Sequence, residues 1–100
     1  MVMESTPLTV LLRRQLATLR NEATWALDAL VHGHHPPHGF EIQVASALES
    51  IALAGLAAGD KCRGYAERIR SRPAEQWSVD DAKGAIALLD AALAELGGAR

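Results

Sequence analysis

The chain has 100 residues, with ten Lys and Arg against twelve Asp and Glu and a formal net charge of -2. That length fits one domain, residues 1–100, and a composition 49% hydrophobic and 22% charged is globular rather than disordered. The charge balance excludes the basic footprint of a nucleic-acid-binding domain and the polybasic segment of a membrane anchor.

Nineteen Ala and fourteen Leu make up a third of the chain, and eight of the ten cations are Arg, a bacterial, GC-rich pattern of usage. Cys62 is the single cysteine, so no intramolecular disulfide is available and secretion is not needed for folding. The opening Met1–Pro7 has no basic leader, which predicts no signal peptide. The most apolar run, Ser50–Gly59, is ten residues, against about 20 for a membrane span. A cytoplasmic protein is expected.

The first helix is predicted over 7–32. Thr6 is a suitable N-cap, and Pro7 at the first helical position loses no needed hydrogen bond. Leu12, Leu16, Leu19, Ala23, Ala26 and Leu30 recur at steps of four and three, and Gly33 supplies a stop. Pro36 and Pro37 keep the following connection out of helix.

The second helix is predicted over 40–71. Its stripe reads Val44, Leu48, Ile51, Gly55, Ala58, Cys62, Tyr65 and Ile69, alternating four and three without a slip. The alternative is a break near Gly59, with Asp60 opening a fourth helix. One continuous helix avoids placing Lys61 and Arg63 in a first turn, where cations are unfavourable, and puts Arg68, Arg70 and Arg72 at a C-terminus, where they help. Pro73 then ends it.

The third helix is predicted over 78–96. Ser78 and Asp81 approximate a capping box, Asp80 and Asp81 favour the positive end of the helix dipole, and Trp77 precedes the cap. Its stripe is Val79, Ala82, Ile86, Leu89, Leu93 and Leu96, with Gly97 and Gly98 beyond. No stretch alternates with period two, so no strand is expected. The fold class is therefore all-α: an antiparallel three-helix bundle with a long middle helix and coiled-coil-like packing, or four helices if the chain breaks near Gly59. A 32-residue helix spans roughly 48 Å, more than a compact domain of this size covers, which suggests a partner chain.

The four histidines, His32, His34, His35 and His38, lie within seven residues. Imidazole is the commonest side-chain ligand for Zn, Ni and Cu, so His34, His35 and His38 are candidate metal ligands. Their spacing matches no familiar zinc module, and the plain reading is a polar turn. Cys62 lies on the core stripe and reads as packing. The carboxylates offer no catalytic pair: Asp80 and Asp81 are explained by capping, while Glu22, Asp28, Glu49, Asp60, Glu67, Asp90 and Glu95 read as solvated-face residues.

Trp25 lies off its helix's core stripe, on the side shared by Leu11, Thr18 and His32, where an indole often anchors an interface. The outward side of the second helix reads Ser46, Ser50, Leu53 and Ala57, flanked by Ala47 and Ala54, with no charge from Ser50 to Gly59. A helix apolar all round is normally buried all round, so Trp25, Leu53, Ala54 and Ala57 are the candidate interface residues. The functional expectation is a small non-enzymatic interaction module, an adaptor, assembly factor or regulator, that forms a homodimer. The alternatives are a metal-binding protein using the histidine loop, and a small-ligand pocket or enzyme formed across a dimer.

Overall fold

The computed structural model describes residues 7–98, and Thr6, the expected first N-cap, lies outside them. These residues form α1 (Pro7–Val31), α2 (Phe40–Leu53), α3 (Gly59–Arg70), a 3-10 turn at Ala74–Gln76 and α4 (Val79–Leu93), which runs into a wide terminal turn at Ala94–Gly98. No strand is present among the described residues, and no helix among them is long and apolar enough to cross a membrane.

The expected stripe of α1 is the buried one: Leu16, Leu19, Ala23 and Ala26 face the core, with Leu12 and Leu30 half-buried at its margin. The helix stops at Gly33, which adopts φ 85° and so takes the left-handed conformation that a side chain would disfavour. Two hydrogen bonds complete the stop. Gly33 N–H donates to Leu30 O and His34 N–H to Ala29 O, satisfying carbonyls that the helix end leaves free.

The continuous helix over 40–71 is not formed; the segment is two helices joined by Ala54–Ala58. Gly55 at φ 77° is incompatible with helix, and the chain turns there. The heptad rhythm survives because α2 and α3 fold back on each other, so each presents its apolar side to the same core. Periodicity does not distinguish one helix from two that share a seam. Part of the uncharged run finds its reason inside the chain, where Ile51 and Gly59 are buried, while Leu53, Ala54 and Ala57 stay exposed. A Cβ on Gly59 would sit 3.1 Å from Ala52 Cα, so the two helices meet there at backbone distance. The small-residue spacing of Gly55 and Gly59 thus serves an intramolecular turn and crossing.

α1 and α4 run antiparallel side by side. Arg20 Nε donates to Asp90 at 2.6 Å near one level, and Arg13 Nη2 donates to Leu96 O at 2.8 Å near the other. Each of the side chains of Leu16, Leu48, Ile51, Ile69 and Leu89 is fully buried between the helices, worth about 1.5–3 kcal/mol apiece. Cys62 is buried among them, as its stripe position predicts, and burial pushes its thiol pKa up.

The expected capping box at α4 is present. Asp81 N–H donates to Ser78 Oγ, and Ser78 N–H donates to Asp81 Oδ2 at 2.7 Å. That carboxylate, 3% exposed, also receives Arg72 Nη1 at 3.1 Å. Around this corner Trp77 packs against Phe40, with ring centroids 5.5 Å apart, and its indole N–H donates to Arg72 O. Glu41 is buried beside them and accepts from Ala74 N–H at 3.0 Å. The start of α2, the end of α3 and the start of α4 are thereby tied at one end of the molecule.

Candidate functional site

α2 treats its two neighbours differently. Against α3 it packs at backbone distance; from α1 it stands off and leaves an open groove. One reason is the connection after α1. Pro36 is fully buried, anchoring the Gly33–Gly39 loop at one end of the pair, where it lines the groove with Ala26, Ala29 and Phe40. Another is side-chain size. Thr18 on α1 and Ser46, Ala47 and Ser50 on α2 are too small to fill the space between the two backbones.

The groove has two contiguous parts that share Glu22 and Gln43. The part beside the loop encloses about 450 Å³ between Trp25, Ala26 and Ala29 on one side and His35, Pro37 and Phe40 on the other. The longer part encloses about 620 Å³, running from Glu22 past Thr18 to Arg14 and facing Ser46, Ala47 and Ser50. Trp25 stands at the rim with 75% of its surface exposed. The other tryptophan, Trp77, is buried, so this exposure is a property of the position and not of the residue type.

The four expected interface residues are all exposed, but they do not form one surface. Trp25 borders the groove. Leu53, 85% exposed, borders a separate shallow depression with Glu49, Ala52 and Arg63. Ala54 and Ala57 belong to the turn between α2 and α3, where Ala57 N–H is held by both carboxylate oxygens of Glu95 at 2.7 and 2.9 Å. Glu95 is therefore a tie between the end of α4 and the start of α3, where the sequence reads only a solvated acid.

The histidine loop does not gather its imidazoles. His38 Nδ1 pairs with Glu75 Oε2 at 2.7 Å, across to the 3-10 turn. His35 Nδ1 lies 2.9 Å from Pro36 O, and His34 is exposed. No group of three His, Cys, Asp or Glu among the described residues is placed to hold a metal ion. The Glu75 hydrogen bond, then the charges of Glu75 and Glu41, raise the His38 pKa above its usual 6.5. Glu75 is held below its usual 4.5, first by its own backbone N–H and then by His38.

Two further placements escape sequence reading. Tyr65 lies over Gly84, where any Cβ would collide with the phenol, and its hydroxyl donates to Asp81 O at 2.8 Å. An unexplained glycine in the middle of α4 is the one signal of that contact. Pro36, read as part of a polar turn, is in the core.

The groove is thus a trough with alanine, proline and phenylalanine in its walls, one carboxylate and one guanidinium along its length, and an indole at its mouth. Its chemistry suits the apolar side of a helix with polar neighbours. Compared with known proteins, the chain matches no family model, no curated protein and no solved structure.

Proposed function

We propose that this chain is a non-enzymatic helical interaction module of the cytoplasm and that its docking surface is the groove between α1 and α2. The observation that carries the reading is Trp25. A large aromatic side chain left 75% exposed beside an unfilled trough forgoes burial that docking would restore. Interface hot spots are enriched in tryptophan, and the small residues Ser46, Ala47 and Ser50 farther along the trough admit another backbone closely.

A helix is the occupant that best fits the trough. It would lay an apolar stripe at steps of three and four along the walls and keep its polar side to water. Such docking suits an adaptor, an assembly factor or a regulator of another protein.

The test is affinity capture from the native cell extract, with wild type and with Ser50→Arg. Ser50 is exposed on the groove wall, so the variant fills the trough without touching the core, and circular dichroism checks that both are folded. Proteins held by wild type and lost from Ser50→Arg, untagged copies of this chain included, are the expected result. Identical retention by both would contradict the reading.

A further inference from the structure

The exposed side of α1 has an internal symmetry that identifies what fills the groove. Leu11, Arg14, Gln15, Thr18, Glu22 and Trp25 are all exposed and share one side of the helix. Thr18 is their centre. Leu11 and Trp25 lie seven residues to either side of it, and Arg14 and Glu22 lie four to either side. In a two-fold symmetric antiparallel pair, residues equidistant from the axis come to the same level on opposite chains. With Thr18 at the axis, Leu11 meets Trp25 of the other copy, joining two of the large apolar side chains that α1 leaves exposed. Arg14 meets Glu22 of the other copy, and each pairing occurs twice. Gln15 meets Asn21, and the two small Thr18 side chains face one another.

The charges support this placement. Arg20, on the opposite side of α1, is paired with Asp90. Arg14 and Glu22 enter none of the ion pairs among the described residues. They cannot pair with each other in one helix, because eight residues separate them by about 12 Å along the axis. Each is left with the complement that a second copy supplies.

We propose that the groove is filled by α1 of a second copy, antiparallel to α1 with Thr18 on the two-fold axis, each copy's α1 lying in the other's groove beside Ser46, Ala47 and Ser50. This rests on the groove being a docking surface, and it names the occupant.

The experiment is sedimentation velocity on wild type, Arg14→Glu, Glu22→Arg and an equimolar mixture of the two variants. Both positions are exposed, and circular dichroism verifies that each variant folds. Wild type is expected to sediment as a dimer. Either variant alone places two like-charge pairs in the interface, which should weaken self-association about tenfold or more. When the two variants pair with each other, both sites of contact again join opposite charges, so the mixture regains the dimer as a heterodimer. A monomeric wild type at about 100 μM, where even a weak micromolar dimer would form, overturns the proposal. So do variants that dimerise as well as wild type, or a mixture that stays monomeric. In any of those cases, loss of captured protein from Ser50→Arg would show that the groove still docks a different partner, so the two readings fail separately.

Discussion

The seam between α2 and α3 and the seam between α2 and α1 are built from similar residues and end in opposite states. Both are rich in small side chains, and each carries opposite charges: Glu49 and Arg70, paired at 2.6 Å, across the first, and Arg14 and Glu22 along the second. In the first, Gly59 brings the two backbones together over Ala52, and no room is left. In the second, Pro36 fixes the loop between the helices, Thr18, Ala47 and Ser50 face each other across a gap, and a trough remains. Small residues permit close approach; they do not impose it. What differs between the seams is the connection: a five-residue turn joins the closed pair, and a loop holding Pro36 and Pro37 joins the open one.

The sharpest way to break the closed seam is at its tightest point. Gly59→Leu should cost about 3 kcal/mol, since a large side chain there must push α2 and α3 apart. Urea unfolding measures this, and an unchanged midpoint would mean the helices do not cross at Gly59. Next comes the corner that ties the closed side together. Asp81→Ala removes the capping box and strands Arg72 and Ser78 N–H, for a loss of about 2 kcal/mol, whereas Ser78→Ala should cost about 1 kcal/mol. Equal effects from the two would show that the Arg72 contact contributes nothing.

Gly64 is the control for Gly59. It lies in the interior of α3 with open space where a Cβ would go. Gly64→Ala should therefore stabilise the chain by about 0.5–1 kcal/mol, an opposite sign on the same helix. On the open seam, Trp25→Ser should change monomer stability by less than about 0.5 kcal/mol while removing whatever binding the groove supports. A large loss of stability, read at a concentration where the chain is monomeric, would make Trp25 a core residue.

The smallest effect concerns pH. His38 has a raised pKa in the folded chain, so its contribution is complete below 6.5 and fades as pH rises through the raised value. Glu75 has a lowered one, so its contribution is complete above 4.5 and fades as pH falls through the lowered value. The pair therefore stabilises most between those pH values. The thermal midpoints of wild type and Glu75→Gln should differ most there, converge at lower pH and draw closer at higher pH as His38 loses its proton, the part due to the Glu75 backbone N–H remaining; a difference that does not narrow at higher pH would remove the pairing.

The helical class, the core stripe of α1 and the Ser78–Asp81 cap were legible because each depends on residues within a few positions of one another; the stripe of α4 was legible in part, since Ala82 and Leu89 are buried as expected, but Ala85 and Ala92 fill the core where Val79, Ile86, Leu93 and Leu96 are only half-buried. The division of the middle segment was not. Gly55 and Gly59 fit the heptad seam, and the charges of Lys61 and Arg63 weighed toward continuity, whereas the turn depends on how Ala52 meets Gly59 in space. Trp25 was legible as an off-stripe aromatic residue. The groove beside it was not, since it arises from Pro36 entering the core and from the stand-off of two helices. Leu53 shows the converse: it is as exposed as its position implies, yet it belongs to a different surface from Trp25.

The central claim is that the groove at Trp25 is occupied in solution, and the indole itself reports on it. In Trp77→Phe, Trp25 is the only tryptophan, so its emission and its quenching by acrylamide can be followed as the chain is concentrated from about 0.1 to about 100 μM, a range that spans submicromolar to weak self-association. The emission should move to shorter wavelength and the quenching should fall as a second copy covers the indole, and both changes should be lost in Arg14→Glu. Emission that stays red-shifted and fully quenched across the whole range would contradict the account.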